Sequence, residues 1–226
     1  MLLVFRLPPP AGSRVKPDQL DLFPQTKEAF DLPDAEIEYF PSLFSVERAD
    51  ALLGSLLNKI EWVQNKIRFY GKQSLVPRLE AWYGDAGKSY TYSGIRMEPK
   101  PWIEELLEIK KVIEPIAETR FNSVLINFYR DGKDRVAWHS DDERELGQNP
   151  AIGSVSLGAE RKFKLRHKGF DQNGQQAEIM LAHGSLLVMK GPTQHFWKHE
   201  IPRTARPVGK RINLTFRVIG PTGGQK

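Results

Sequence analysis

The feature that most limits the fold of this chain is a series of short apolar segments beyond residue 120, separated by Gly, Asp and Asn. Asp131 and Gly132 supply a turn after the first of them. The segments cover residues 123–129, 152–157, 162–166, 178–181, 185–189 and 211–218. Regular short strands with turn signals between them predict a β-sandwich or a jelly roll.

Two stretches upstream of these strands carry apolar residues at helical spacing. The first follows Ser45, a favoured N-cap residue, and its apolar positions are Ala49, Leu52, Leu53, Leu56, Leu57 and Ile60. The second is predicted to start at Pro101, and Pro115 is expected to end or kink it. Its apolar positions are Ile103, Leu106, Leu107, Ile113 and Ile116. We expect both helices to cover one outer face, which makes the predicted class mainly β with flanking helices (α+β).

The chain of 226 residues is long enough for one sizeable domain and a tail. Residues 1–36 are rich in Pro, Asp, Gln and Lys and lack periodicity, so we expect a flexible tail followed by a domain over residues 37–226. The first ten residues lack the basic start of a signal peptide, and no apolar run reaches the length of a membrane span. We expect a monomer in the cytosol, with no membrane partner.

The composition excludes several kinds of site. Because the chain has no cysteine, it cannot form disulfides, cysteine-ligated iron–sulfur clusters or thiolate zinc sites. The formal net charge of +5 is compatible with nucleic-acid binding and equally with an ordinary basic enzyme.

Two histidines and one carboxylate form the strongest candidate for a metal site. His139 and Asp141 are two residues apart, so on an extended strand both side chains project to the same side. His199 comes from a distant predicted strand, although His195 competes with it by composition. Two histidines and a carboxylate on one face of an octahedral ion are the ligands of non-haem Fe(II) oxygenases.

The last predicted strand supplies cations for an acidic co-substrate. Arg211, Asn213, Thr215 and Arg217 alternate along it and therefore share one face. One inward arginine could form a structural ion pair, whereas two arginines with an asparagine between them suggest a bound dicarboxylate. Asn127 and Tyr129 share a face of their own strand and could donate further hydrogen bonds.

These segments resemble the AlkB family of Fe(II)/2-oxoglutarate dioxygenases, in order and spacing, from about residue 67 to 218. The matching segments are Asn127–Tyr129, His139–Asp141, Ser154–Gly158, His199 and Arg211–Arg217. Within the family the chain is most similar to the homologue acting on double-stranded DNA, through residues 83–87, 141–146 and 182–187. The resemblance implies a double-stranded β-helix (jelly roll) with an N-terminal nucleotide-recognition extension.

The resemblance also implies cofactors and their ligands. His139, Asp141 and His199 would bind Fe(II), and Arg211 would pair with the distal carboxylate of 2-oxoglutarate, assisted by Tyr129. Arg217 would lie near the carboxylate that chelates iron, with Asn127 and Asn213 nearby. The reaction would use O2, release succinate, CO2 and an aldehyde, and remove an N-alkyl group from a flipped base.

The same resemblance assigns a pocket for the flipped base. Tyr92 would stack on the base, Tyr90 would hydrogen-bond inside the pocket, and Asp142 and Glu143 would recognise the exocyclic amine and hold Tyr90. By residue type alone, both tyrosines would be half-buried sheet residues.

Five residues are predicted to contact DNA: Tyr70, Lys72, Arg78, Lys168 and Arg203. Tyr70 lies at the tip of an expected hairpin finger that wedges into the duplex, where the family carries phenylalanine. The basic run 161–168 alternates with apolar residues, which is typical of a solvated strand face and compatible with a DNA-facing one. The homologue acting on double-stranded DNA has a basic triplet soon after the last iron ligand, whereas this chain has Arg203-Thr-Ala, so we expect a weaker grip on the complementary strand.

The tail contains a short segment that resembles the peptide by which bacterial repair proteins bind the β sliding clamp. Its residues are Gln19, Leu20, Asp21, Leu22 and Phe23. The alternative is an amphipathic turn that docks on the domain.

Together these features predict a DNA repair dioxygenase acting on lesions such as 1-methyladenine and 3-methylcytosine. An RNA or single-strand demethylase on the same scaffold is the nearest alternative. A non-catalytic nucleic-acid or clamp-binding module would not need the ligand set or both arginines.

Overall fold

The computed structural model describes residues 26–69, 72–88, 90–92 and 95–220, with the backbone alone for 67–69, 72–73, 90–92, 95–97 and 172–173. The strands are β1 Glu28–Ala29, β2 Glu36–Phe40, β3 Lys66–Phe69, β4 Lys72–Leu75, β5 Leu79–Gly84, β6 Tyr90–Tyr92, β7 Ile95–Met97, β8 Ser123–Tyr129, β9 Val136–His139, β10 Ile152–Gly158, β11 Arg161–His167, β12 Gln176–Leu181, β13 Ser185–Lys190, β14 Trp197–Ile201 and β15 Arg211–Arg217. The helices are α1 Val46–Lys59, α2 Glu104–Ala117, α3 Phe170–Asn173 and α4 Thr193–Phe196, with a 3-10 turn at Arg144–Leu146. No helix among the described residues is long and apolar enough to cross a membrane.

Two antiparallel sheets form the body of the protein. The larger has the order β1-β2-β13-β10-β15-β8-β5, and the smaller has the order β12-β11-β14-β9. Neighbours in each sheet are mostly distant in sequence, as in the predicted jelly roll. β3–β4 and β6–β7 form separate two-stranded ribbons. All six strands predicted beyond residue 120 are present, with ends that differ by at most two residues.

The larger sheet is covered on both faces, and the two faces differ in chemistry. In β8 and β15 one set of alternating side chains is apolar and belongs to the same buried cluster as α1 and α2. The other set includes Asn127, Tyr129, Arg211, Asn213 and Arg217, which line a cavity together with residues of the smaller sheet. The sheet therefore uses its outer face for stability and its inner face for a polar site.

The two long helices follow the predicted apolar spacing, although the second starts later than expected. The hydroxyl of Ser45 accepts a hydrogen bond from the backbone N–H of Arg48 at 3.2 Å and caps α1. Pro101 does not start α2, which begins at Glu104. Pro115 lies inside the last turn, and the helix continues to Ala117 before Glu118 takes a left-handed conformation.

Residues 28–36, which the sequence analysis assigned to the tail, contact the domain in the structure. β1 pairs with β2, so that Glu28 lies opposite Tyr39. Phe30 and Leu32 pack against the buried cluster between the sheets, and the carbonyl of Pro33 accepts a hydrogen bond from the indole of Trp197 at 2.9 Å. These contacts bury Phe30 and Leu32 in part and hold residues 28–36 against the domain.

Candidate metal and co-substrate site

The three predicted metal ligands meet at one end of the smaller sheet. His139 ends β9, Asp141 follows two residues later, and His199 lies in the neighbouring strand β14. His139 and His199 are paired in register, and the candidate ligand atoms of the three residues lie within 4.8 Å of one another. His195, the competing histidine, lies exposed in α4 and outside this cluster. The structure thus brings together the same three residues that the sequence selected.

The environment of each ligand favours the ionisation state that a metal ion requires. The Nδ1 atom of His139 lies 2.8 Å from the carbonyl of Ala137, so it donates there and leaves Nε2 for a metal. Burial lowers the pKa of His139, and it lowers the pKa of His199 to about 3. Both imidazoles are therefore neutral near neutral pH.

The carboxylate of Asp141 is held in its charged form. Burial acts to raise its pKa, but Arg217 and the two histidines outweigh burial and lower the pKa to about 2. Arg217 donates a hydrogen bond from Nη2 to Oδ1 of Asp141 at 2.7 Å. Two neutral imidazoles and one carboxylate are a suitable ligand set for a divalent ion such as Fe(II).

A cavity of about 500 Å³, including its mouth, opens beside these ligands. It is lined by Arg78, Leu125, Asn127, Tyr129, Val136, His139, Asp141, Ser154, Phe163, Leu181, Met189, His199, Ile201, Arg211, Asn213, Thr215 and Arg217. All five residues predicted to bind the co-substrate are in this set.

Arg211 is the residue whose surroundings most clearly require an anion. Its side chain is 1% exposed, it donates from Nη2 to the hydroxyl of Ser156 at 3.0 Å, and its guanidinium lies 5.0 Å from the ring centre of Tyr129. Among the described residues, none accepts a hydrogen bond from its Nε or Nη1. Burial lowers its pKa to about 10, partly offset by Tyr129. A buried cation with unused donors is costly unless a ligand pairs with it.

Asn213 lines the cavity but already uses its polar atoms within the protein. Its Nδ2 donates to the hydroxyl of Ser154 at 2.8 Å and to the carbonyl of Val155 at 3.1 Å. Its Oδ1 accepts a hydrogen bond from the hydroxyl of Thr215. Asn213 is therefore suited to fix the cavity wall, and Asn127 and Arg211 are better placed to donate to a ligand.

Comparison with known proteins gives the family. The model of the 2OG-Fe(II) oxygenase superfamily matches residues 36–217. The Mus musculus protein named DNA oxidative demethylase ALKBH2 is 42% identical over 190 residues, covering 80% of this chain and 79% of that protein. The Homo sapiens alpha-ketoglutarate-dependent dioxygenase alkB homolog 3 is also 42% identical, over 80% of this chain and 65% of that protein. The chain belongs to the AlkB family of Fe(II)/2-oxoglutarate dioxygenases.

A solved structure supports the fold of this AlkB-family chain. The structure of OsALKBH1 matches it with a TM-score of 0.57 and 15% sequence identity, over 80% of this chain and 96% of the other. Fe(II) and 2-oxoglutarate are the cofactors of the family, and the residues present fit both of them. The His–Asp–His cluster offers three ligands to iron, and the unused donors of Arg211 suit a carboxylate.

The predicted base pocket is described only in part. Tyr90 and Tyr92 lie in β6, which pairs with β7, and their side chains are outside the described residues. Asp142 is exposed and pairs with Lys168 at 2.9 Å, and Glu143 is half-buried. The stacking and hydrogen-bonding roles of the two tyrosines stay predictions.

The segment predicted as a finger lies between two paired strands, because Phe69 pairs with Lys72 across β3 and β4. Tyr70 itself lies outside the described residues, as does the side chain of Lys72. Arg203 is exposed in the segment between β14 and β15, beside an open groove. Lys168 is exposed but forms the ion pair with Asp142, so a DNA phosphate would compete with that carboxylate.

The structure places Arg78, for which a phosphate contact was predicted, inside the protein. Arg78 is 5% exposed, forms an ion pair with the buried carboxylate of Glu80 and lines the co-substrate cavity. In this structure the guanidinium of Arg78 is therefore held by Glu80 and faces the cavity.

Sequence reasoning missed Gln194, which supports the metal site. This residue of α4 is 1% exposed, and its Oε1 accepts a hydrogen bond from the backbone N–H of Asp141 at 2.9 Å. Because α4 leads directly into β14, Gln194 connects the segment of one metal ligand to the strand of another. Its position five residues before His199 was the only available signal.

Proposed function

We propose that this AlkB-family protein is a DNA repair dioxygenase that removes N-linked alkyl groups from flipped bases. The observation that carries the proposal is the cavity in which the complete ligand set lies beside the unpaired donors of Arg211. The relatives at 42% identity include proteins named DNA oxidative demethylase. We infer lesions of the 1-methyladenine and 3-methylcytosine type.

The residues of the chain bind and orient the cofactors. His139, Asp141 and His199 would hold Fe(II), and Arg211 would hold the distal carboxylate of 2-oxoglutarate. When bound, iron, O2 and 2-oxoglutarate supply the oxidation of an alkyl C–H bond, with release of succinate, CO2 and an aldehyde. Arg217 keeps Asp141 charged and oriented through their hydrogen bond.

The charges near the site suit the proposed lesions. Alkylation of a ring nitrogen makes such bases cationic near neutral pH, and Asp142 and Glu143 follow Asp141 directly in the sequence. Carboxylates at this place would favour an alkylated base over its neutral counterpart. The net charge of +5 favours association with the phosphate backbone.

The test is release of succinate and formaldehyde that depends on a methylated base in an oligonucleotide. Wild-type protein with Fe(II) should release both products, and Asp141→Ala should release neither. Asp31→Ala is a matched control, because it removes an exposed carboxylate away from the metal cluster. Equal activity in Asp141→Ala and wild type would refute the proposed site.

We further infer a preference for lesions in duplex DNA, supported by the β3–β4 hairpin at the predicted finger. One lesion presented in duplex DNA, single-stranded DNA and single-stranded RNA separates the alternatives. Duplex turnover should exceed the others and should fall in Tyr70→Ala. Faster turnover of RNA or of single strands would replace this inference with the single-strand alternative.

We also infer that residues 19–23 bind a bacterial β sliding clamp. The support is the sequence pattern alone: Gln19, Leu20, a Leu22-Phe23 pair and Asp21 between them. Exchange of Leu22 and Phe23 for alanine should abolish binding to purified clamp, while turnover of a free oligonucleotide stays at the wild-type rate. Unchanged affinity for the clamp would remove the inference.

A further inference from the structure

We propose that Arg78 and Glu80 are positioning residues that fix the orientation of the Asn127 amide, so that its NH2 group donates to 2-oxoglutarate. This inference rests on the proposed co-substrate cavity. It replaces the DNA contact that the sequence predicted for Arg78 with a role inside the protein.

The orientation of the Asn127 amide follows from one hydrogen bond. The Nε atom of Arg78 lies 2.7 Å from the amide atom of Asn127 assigned as Oδ1. An arginine side chain has only donors, so the amide atom that faces it must be the oxygen. Nδ2 of Asn127 is then the free end of the amide.

The free end of the amide belongs to the wall of the co-substrate cavity. Asn127 is one of the residues that line it, together with Arg211 and Tyr129. Among the described residues, none accepts a hydrogen bond from Nδ2 of Asn127. A carboxylate in this cavity would supply the missing acceptor, and the adjacent guanidinium would polarise the amide and strengthen its donation.

A buried carboxylate holds Arg78 in place. Nη2 of Arg78 donates to Oε1 of Glu80 at 2.5 Å, and the second oxygen of Glu80 accepts a hydrogen bond from Asn65 at 2.9 Å. Glu80 also lies opposite Asn127 in the pairing of β5 with β8. With both carboxylate oxygens engaged and 2% of its surface exposed, Glu80 gives the guanidinium one fixed position.

The test is a thermodynamic cycle on 2-oxoglutarate affinity. Three variants are compared. The pair variant carries both Arg78→Met and Glu80→Gln, the second carries Asn127→Ala alone, and the triple variant carries all three substitutions. Removing both charges together avoids leaving a buried charge alone, which is the more destabilising change. The dissociation constant is measured by calorimetry under anaerobic conditions with Mn(II), which replaces iron without redox chemistry.

We expect the pair variant to bind 2-oxoglutarate about tenfold more weakly, the size of one lost hydrogen bond. The triple variant should bind no more weakly than Asn127→Ala, because the pair acts only through Asn127. Affinity for methylated DNA and the melting temperature without cofactor should change little compared with this loss. A merely structural role would instead add its effect to that of Asn127→Ala.

Three results would overturn the proposal. They are wild-type affinity for 2-oxoglutarate in the pair variant, a loss that adds fully to Asn127→Ala, and a selective loss of DNA affinity. Failure of the wild-type protein to bind 2-oxoglutarate would instead refute the proposed function itself.

A second variant keeps the proposal testable if the pair variant does not fold. In Asn127→Asp, Arg78 would bind one oxygen and turn the other toward the cavity. The negative charge on this second oxygen should repel the carboxylate of 2-oxoglutarate and make its binding weaker than in Asn127→Ala. Binding as tight as in Asn127→Ala would contradict the orientation.

Discussion

Replacing Arg211 by methionine should stabilise the cofactor-free protein and at the same time remove tight binding of 2-oxoglutarate. Burial lowers the pKa of Arg211 from the ordinary value of an arginine to about 10. At 1.36 kcal/mol per pKa unit, this difference corresponds to a cost of about 3 kcal/mol for keeping the guanidinium charged. The cost applies throughout the neutral pH range, because the group stays protonated there.

Methionine has no charge to bury and fills much of the same volume, so part of this cost should be recovered. A gain of 1 kcal/mol raises the melting temperature of a domain of this size by about 2–4 °C. Binding of 2-oxoglutarate should weaken, because Arg211→Met removes two charge-assisted hydrogen bonds to its distal carboxylate, each contributing about 1.5–3 kcal/mol. The dissociation constant for 2-oxoglutarate should therefore rise at least about 100-fold.

Thermal unfolding with Mn(II), with and without 2-oxoglutarate, measures both effects. The wild-type melting temperature should rise when 2-oxoglutarate is added, and that of Arg211→Met should be higher at the start and then stay constant. Arg161→Met is the contrasting variant, because Arg161 is equally buried but donates to the carbonyls of Asp131, Asp134 and Pro202. It should lower the melting temperature. A lower melting temperature in Arg211→Met, or affinity within tenfold of wild type, would refute this reasoning.

Three further predictions concern the support of the site and of the fold. Gln194→Leu removes the acceptor for the backbone N–H of Asp141. It should weaken Mn(II) binding about 10–100-fold in a metal titration, and unchanged Mn(II) affinity would contradict the supporting role of Gln194. Gly158→Ala should lower the free energy of unfolding by about 1–3 kcal/mol in a urea titration. The reason is that Gly158 has a φ of +94° and that a Cβ there would lie 2.3 Å from the carbonyl oxygen of Lys210. A variant as stable as wild type would contradict that contact. Burial acts to raise the pKa of Glu105, but its hydrogen bonds to a lysine and a serine lower it to about 2. The contribution of Glu105 to the free energy of unfolding is thus fully present above its ordinary pKa of 4.5. It is lost as the pH falls through the pKa of the folded state. Glu105→Gln should therefore melt below wild type near neutral pH and level with it near about pH 2, and a difference independent of pH would contradict the assignment.

The fold and the metal ligands were predictable because their signals are local. The alternation of Arg211, Asn213 and Thr215 with apolar residues gives strand β15 and its cavity face at once. The spacing of His139 and Asp141 made them candidate ligands, the family motif identifies His199 as their partner, and the structure brings the three together.

The surroundings of Arg78 and Gln194 were not predictable, because their partners are distant in sequence. Arg78 meets Asn127 across 49 positions, and Gln194 meets Asp141 across 53. By residue type alone, an arginine next to the predicted finger segment suggests a contact with a DNA phosphate. Only its burial and its hydrogen bond to Asn127 in the structure show that it faces inward.

The contacts of residues 28–36 were not predictable for a similar reason. Residues 28–36 lack periodicity of their own, and their stabilising contacts are with β2 and with Trp197. The propensity of a short segment says little when tertiary contacts decide its structure.

The measurement that tests the central claim most directly is the stoichiometry of products from one methylated duplex oligonucleotide. Wild-type protein should release succinate and formaldehyde in equal amounts with restoration of the unmodified base, and Asp141→Ala should yield none of the three. Restoration of the base without 2-oxoglutarate, or equal succinate release with unmethylated DNA, would contradict the account.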